Sequence, residues 1–253
     1  MNIFIKNTIV LAILSTCCYG LVDIEKYLKV CDRNSAEVND CLTEAVQEGL
    51  AALADGIEEI GVPPIDPYRQ KDLRIEYKNN QILAKLVAKD IYVEGLKTAT
   101  VHDARLRADD DRFHLELDLT TPRVNIRGQY LGEGRYNSLQ IKAHGHFSTN
   151  MTNLVYTWKL DGVPEKNENG TFVRITDFYM RPDVGSMKSH LTNDNPDSRD
   201  LTELGNRFTN QNWRLLYREL LPYAQANWNK IGISVANKIF LKITYDQLFP
   251  SKS

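Results

Sequence analysis

An apolar stripe near the C-terminus limits the fold most. Trp213, Leu216, Leu220, Ala224, Trp228, Ile231, Val235 and Ile239 recur at helical spacing. A helix from Asn212 to Lys242 would be about 46 Å long at 1.5 Å per residue. Once a leader is removed, a compact globule of this chain would have a radius of gyration of about 17 Å and a diameter of about 45 Å. A helix as long as the molecule must lie along it. Pro222 should kink it or open its first turns, because the ring removes a backbone donor and crowds the preceding turn.

What lies against that helix follows from the middle of the chain, where the period changes to two. Phe113, Leu115, Leu117 and Leu119 alternate with polar residues, as do Leu139, Ile141, Ala143, Gly145 and Phe147. Less regular strands are expected around Ile82–Val93, Val101–Arg107, Val124–Tyr130, Leu154–Leu160 and Phe172–Met180. Turn signals stand at Asp109–Asp111, Gly132-Glu133-Gly134, Asp161-Gly162-Val163-Pro164 and Asn167–Gly170. The resulting expectation is an antiparallel meander. With the axial helix it gives an α+β architecture of segregated elements, a long curved sheet around one helix, rather than a parallel βαβ sheet. A first helix is expected from about Ala36 to Ile60, opened by Asn34 and Glu37 at capping-box spacing and closed by Gly61-Val62-Pro63-Pro64.

The first twenty residues read as a signal peptide: Lys6, then the apolar run Thr8–Leu14, then Cys18-Tyr19-Gly20. The run is shorter than the roughly 20 residues a bilayer helix needs. Residues 21–253 are then one exported domain with no integral membrane segment, in haemolymph or another extracellular fluid. Its remaining cysteines are Cys31 and Cys41. In an oxidising compartment a pair this close is expected to form a disulfide, worth roughly 3 kcal/mol by the chain-entropy model; the alternative is two buried thiols. Sequons at Asn150 and Asn169 fit the same compartment.

Composition excludes several classes. With 31 basic and 33 acidic side chains and a net charge of −2, the chain lacks the electrostatic footprint of a nucleic-acid binder. Serine-hydrolase, zinc-protease and nucleotide-loop motifs are absent from the sequence, so no catalytic residue, cofactor or metal is expected. His144-Gly145-His146 would put two imidazoles on one strand face, but that is the solvated face. His102, His114 and His190 stand alone, without ligand spacing. Asp109–Asp111 reads as a solvated hairpin tip rather than a calcium loop. Tyr156, Trp158, Trp213 and Trp228 either fill a core or stack on a ligand.

The order of landmarks resembles the insect haemolymph juvenile-hormone-binding and takeout family. The landmarks are Cys31 and Cys41 around the start of the first helix, Gly61–Pro67, Val93-Glu94-Gly95-Leu96, Gly128-Gln129-Tyr130 with Gly132-Glu133-Gly134, the Leu201–Trp213 stretch and a terminal Tyr245–Pro250 segment. The resemblance covers nearly the whole mature chain. It implies a tubular lipid-binding fold, a curved antiparallel sheet around the long C-terminal helix with a hydrophobic tunnel inside. It also implies a secreted carrier of an elongated apolar ligand such as a terpenoid, fatty-acyl or quinone-like lipid, with links to circadian, feeding or chemosensory behaviour. The hormone-carrier branch typically has a second disulfide for which this chain has no cysteines, which favours the takeout-like branch.

By that resemblance the tunnel lining would come from Val46, Leu50 and Leu53 of the first helix. The sheet would add Leu86, Leu115, Leu117, Tyr156, Trp158 and Phe172, and the last helix Trp213, Leu216 and Leu220. Ordinary core packing explains the same residues. The competing function is a secreted interaction protein that works through its surface, with a vestigial cavity and a receptor or haemolymph partner.

Overall fold

The computed structural model describes residues 24–78, 82–136 and 139–251; the expected signal peptide lies outside them. Seven strands, β1 (Tyr68–Lys78), β2 (Ile82–Glu94), β3 (Thr100–Ala108), β4 (Phe113–Tyr136), β5 (Leu139–Asn167), β6 (Gly170–Met180) and β7 (Asp183–Leu191), form one antiparallel sheet. Around them are α1 (Val38–Ala52), α2 (Arg199–Gln211), α3 (Trp213–Phe240) and α4 (Tyr245–Leu248). The sheet curls into a half-barrel that carries the C-terminal helices.

Its spine is the β4–β5 hairpin, paired without a register change from Phe113 opposite Gly162 to Tyr136 opposite Leu139. Two shorter strands lie end to end on each flank. β3 and then β2 run along β4, β6 and then β7 run along β5, and β1 lies outside β2. The arrangement is antiparallel as expected, but β4 and β5 each join what the sequence reads as two strands. Gly132-Glu133-Gly134 and Asp161–Pro164 lie inside them rather than at turns.

The joins escape sequence reading because the alternation changes phase there. Along β4 the buried residues are Phe113, Leu115, Leu117, Leu119 and Thr121, then Val124 and Tyr130. Along β5, Leu154 and Tyr156 are buried, and Met151 packs against the same core. The pair Pro122 and Asn153 is skipped on both strands, so the register is kept while the apolar face changes from odd to even positions on β4. The same device recurs between β1 and β2, where Lys71 and Asp90 are skipped. Asn153 (φ 54°) and Asp90 (φ 46°) are, among the described residues, the two non-glycine residues with positive φ. Asn and Asp tolerate that region better than other side chains. Irregularities of this kind bend strands, and the one at Pro122 falls where the neighbour of β4 changes from β3 to β2. Pro122 sits between the last β3 pairing, at Thr120, and the first β2 pairing, at Asn125, where β4 has no neighbour to receive its missing N–H.

The first helix is shorter than expected. α1 ends at Ala52 because the chain turns at Gly56 (φ 79°), where a Cβ would meet the Val62–Pro64 backbone at 2.6–2.8 Å. Glu58–Ile60 is a separate 3-10 turn closed by Gly61 in the left-handed region. Asn34 does not cap α1. The N-cap is Glu37, and the Asn34 amide reaches Ser251 instead. Cys31 and Cys41 are disulfide-bonded. Beside them Arg33 holds the chain end: its guanidinium donates to Asp246 (2.7 Å) and to the Phe249 carbonyl (2.6 Å) and lies 4.8 Å from the Tyr245 ring centre.

α3 runs for about 42 Å along the edge strand β6. An unpaired edge invites association with other chains, and here asparagine side chains occupy it. Asn237 accepts from the Ile175 N–H (2.8 Å) and donates to its carbonyl (2.9 Å). Asn210 and Asn206 treat Ser189 and Leu191 of β7 in the same way, each bond 2.8 Å. Each amide completes the two bonds a neighbouring strand would have made. The main core lies where α1, α3 and α4 meet β3 to β7. At one end Phe113 is enclosed by Phe240, Tyr245 and Phe249, with ring centres 5.3–6.4 Å away.

Candidate functional site

The phase shifts keep one apolar face continuous along the sheet, and along its length that face is covered unequally. Toward the α1 and α4 end it is a closed core. Leu50, Leu115, Leu117 and Tyr156 are buried in this core, and Val46, Trp158 and, from the start of α3, Trp213 are among the half-buried residues packed against the cluster as a whole. Tyr156 is satisfied by the hydroxyl of the fully buried Thr121 at 2.7 Å, and burial raises its pKa. Trp158 bridges Tyr156 and Phe178 (ring centres 6.0 and 6.1 Å), and its indole N–H donates to the Met180 sulfur.

Farther along, the cover thins. Ile75, Leu86, Gly132 and Ala143 stand directly opposite one another on β1, β2, β4 and β5, and Leu73, Ala88, Tyr130 and Gly145 form the next row. Leu86 is 38% exposed although it lies mid-row, and a Cβ on Gly132 would meet nothing closer than the Ala143 carbonyl at 3.7 Å. Leu86 is thus the solvent-open member of an apolar row otherwise made of half-buried and small residues, the trough. The opposite face of the same strands is polar, with Lys85 facing Glu76 and Lys142 facing Glu133. At the β7 side the Tyr130 hydroxyl donates to the Thr192 carbonyl at 2.8 Å, tying the trough to the chain that follows β7.

The twelve residues expected to line a tunnel are thus divided. Leu50, Leu115, Leu117, Tyr156, Val46, Trp158 and Trp213 meet in the closed core. Leu53 belongs to a second cluster around Ile24, Ile57, Ile60, Val62 and Ile243, and Phe172 is buried on β6. Leu86 opens onto the trough, Leu216 is half-buried and Leu220 is 48% exposed. Sequence reasoning missed Ile75, Ala88, Gly132 and Ala143. Ala143 falls in the apolar alternation read from the sequence but, like Ala88, is too small to mark a site, Gly132 reads as a turn, and β1 carries no clean alternation. Row-by-row pairing reveals them.

Other clefts are polar or lie at an edge. One of about 500 Å³ is lined by Arg69, Lys71, Asp72, Lys89 and Asp90. Another of about 390 Å³ lies between β6 and α3, beside Phe178, Met180 and Asn229. The outer face of β3, β4 and β5 carries an ion-pair network. Arg105 meets Asp103, Asp118 (2.7 Å) and Glu116 (3.0 Å), and Lys159 meets Glu116 at 2.7 Å. His114 does not stand alone but lies 2.7 Å from Asp161 and 3.3 Å from Glu116. His144 and His146 are exposed, and Asp109 accepts from the N–H groups of Asp111 and Arg112 at a hairpin tip. Among the described residues no group of three or more His, Cys, Asp or Glu is placed to hold a metal, and no helix is long and apolar enough to cross a membrane.

A curled sheet with one continuous apolar face and edge-docked helices has counterparts among known proteins. The solved structure of Epiphyas postvittana Takeout 1 superposes with a TM-score of 0.70 over 88% of this chain and 99% of that one, at 21% identity. Two relatives named circadian clock-controlled protein daywake align as well. The Drosophila yakuba protein is 23% identical over 226 residues, 87% of each chain, and the Drosophila melanogaster protein 25% identical over 224 residues, 83% of each. The profile of the haemolymph juvenile hormone binding protein family matches residues 9–250, so nearly the whole chain, landmarks and sheet together, belongs to that family.

Proposed function

We propose that the protein is a secreted carrier that holds an elongated hydrophobic ligand along the apolar face of its half-barrel, with the trough of Ile75, Leu86, Gly132 and Ala143 as part of the site and the core residues Trp158 and Trp213 at its inner end. The observation that carries this reading is an apolar mid-sheet row in which Leu86 is left 38% open to solvent, on the face opposite the Lys85–Glu76 and Lys142–Glu133 pairs. Leaving such a surface uncovered costs about 25 cal/mol per Å², the same free energy an apolar ligand regains by covering it. Affinity then needs few polar groups, in keeping with a chain whose charged clusters lie on the outer face.

Membership of a hormone-binding family supports a terpenoid or fatty-acyl ligand, and the daywake relatives support a role under circadian control. The chain acts by binding rather than catalysis in this reading. Export would remove residues 1–20 and leave residues 21–253 as one domain, and would expose Asn150 and Asn169 to glycosylation; both are exposed. The test is native mass spectrometry of the protein secreted from insect cells, followed by solvent extraction and titration with terpenoid and fatty-acyl probes. A stoichiometric apolar adduct, or saturable probe binding, is the expected result. A bare processed chain that no apolar probe binds would overturn the proposal.

A further inference from the structure

α2 is amphipathic, yet it is its polar face that meets the protein. Asn206 and Asn210, one turn apart, bind the edge of β7. Leu201, Leu204 and Phe208, at i, i+3 and i+7, fall on the opposite side and are 59%, 57% and 56% exposed. The apolar surface continues into α3 through Leu215 (49% exposed). Beside it run Arg207, Arg214 and Arg218, all exposed. Among the described residues these three make no ion pair, and Arg214 lies over the Trp213 ring at 4.5 Å. From Arg207 to Arg218 the sequence holds three arginines and no acidic residue, in a chain whose net charge is −2; Asp200, Glu203 and Glu219 lie outside that stretch.

We propose that this surface docks the protein on anionic phospholipid membranes, with Leu201, Leu204, Phe208 and Leu215 in the headgroup and acyl boundary and Arg207, Arg214 and Arg218 on lipid phosphates. Leu and Phe beside basic residues is the composition of helices that lie in a membrane interface. A second copy of the chain fits the surface poorly. A two-fold contact centred on Arg207–Arg218 would set the three arginines against themselves, with the nearest acidic residues, Glu203 and Glu219, only at its two ends. Docking would place the carrier where a water-insoluble ligand is exchanged, and in that purpose the inference rests on the carrier reading.

Flotation with phosphatidylcholine vesicles, with and without phosphatidylserine, tests it on the full mature chain. The wild type is expected to float only with phosphatidylserine present and to be released by salt. Each arginine near an anionic surface contributes about five-fold in partitioning, so R207Q/R214Q/R218Q is expected to bind roughly a hundred-fold more weakly while still binding a soluble apolar probe. L204S/F208S is expected to lose vesicle binding with its circular dichroism unchanged. Equal flotation of wild type and the arginine variant, or none of the wild type, would overturn the docking proposal, as would a dimer that L204S/F208S converts to monomer. Soluble-probe binding is read separately, so loss of vesicle binding with probe binding intact refutes docking alone. Loss of probe binding by the wild type refutes the carrier.

Discussion

The Asp66 carboxylate receives the backbone N–H of Gly95 on both its oxygens at 3.1 Å and that of Lys97 at 2.9 Å. It thereby joins Gly61–Pro67 to Val93–Leu96, two landmarks of the family resemblance that sit 29 residues apart in sequence. Gly95 (φ 105°) has no room for a side chain, since a Cβ would run into the Arg123 carbonyl. Asp66 is 8% exposed, so its bonds are made out of water.

Asp66→Ala is therefore expected to cost about 2–3 kcal/mol, since bonds to a charged acceptor are lost and two N–H groups are stranded. Gly95→Ala should cost at least about 2 kcal/mol through backbone strain and the clash. Urea midpoints measured on the purified chain check both. A change within about 0.5 kcal/mol for either would mean the junction does not hold the sheet to α1.

Asn237→Ala leaves the Ile175 N–H and carbonyl without their edge partner, at about 1–3 kcal/mol for each group that water does not reach. Asn237→Asp keeps the acceptor but sets a carboxylate oxygen against the Ile175 carbonyl, so its loss should be at least as large. Hydrogen exchange at the Ile175 amide reads this directly: faster exchange is expected in the alanine variant, and unchanged exchange would show that the edge is protected by α3 without the amide.

Much of the architecture was legible because long periodic segments carry it. The presence of α3, the first half of β4 and the hairpin tip at Asp109 follow from spacing alone, whereas the packed face of α3 does not: Tyr217, Leu221, Ile233, Ala236 and Phe240 turn inward and Leu220 of the read stripe is 48% exposed. The continuity of β4 and β5 was not legible, because alternation read through Thr120-Thr121-Pro122-Arg123 breaks phase, and the compensating skip at Asn153 is 31 residues away. The edge-binding asparagines were equally hidden. An Asn in a helix reads as a solvated polar residue, and only the partner strand gives it a role. Within the candidate site, Leu and Trp could be named, whereas the open trough owes its depth to glycine and alanine, whose contribution is space.

The phase shift itself can be tested at Asn153. Its φ of 54° costs an ordinary L-residue roughly 1–2 kcal/mol, and a β-branched residue at least that. Asn153→Val should lower stability by that amount and Asn153→Gly should leave it unchanged or raise it slightly, as measured by thermal unfolding. If Val were tolerated as well as Gly, the left-handed residue would not be what keeps the apolar face continuous.

On the outer face, hydrogen bonds from Lys159 and Arg105 hold the Glu116 carboxyl down at about 2, against an ordinary value of 4.5. A carboxylate with a depressed folded-state value stabilises the fold fully above 4.5, and that contribution is lost as pH falls toward about 2. Solvent screening reduces its size, because Arg105 and Lys159 are 40% and 42% exposed. Glu116→Gln is expected to flatten the fall of unfolding free energy in that acid window and to leave the slope near neutral pH untouched. Parallel curves for the two proteins would remove Glu116 from the acid response.

Gly132 offers the most direct test of the trough. A Cβ there makes only ordinary contact, with the Ala143 carbonyl at 3.7 Å, so Gly132→Phe should fold and project its ring over Leu86 and Ala143 into space a ligand would use. Probe affinity should fall on the order of ten-fold or more, equivalent to ~1.4 kcal/mol. The neighbouring Leu131 points to the opposite face and is 44% exposed, so Leu131→Phe adds the same ring outside the trough and should leave binding unchanged. Fluorescence titration of a fatty-acyl probe against the three proteins gives the comparison. Equal affinity for the glycine variant and the wild type would move the ligand away from this end of the sheet, whereas loss in both variants would point to a general distortion of β4.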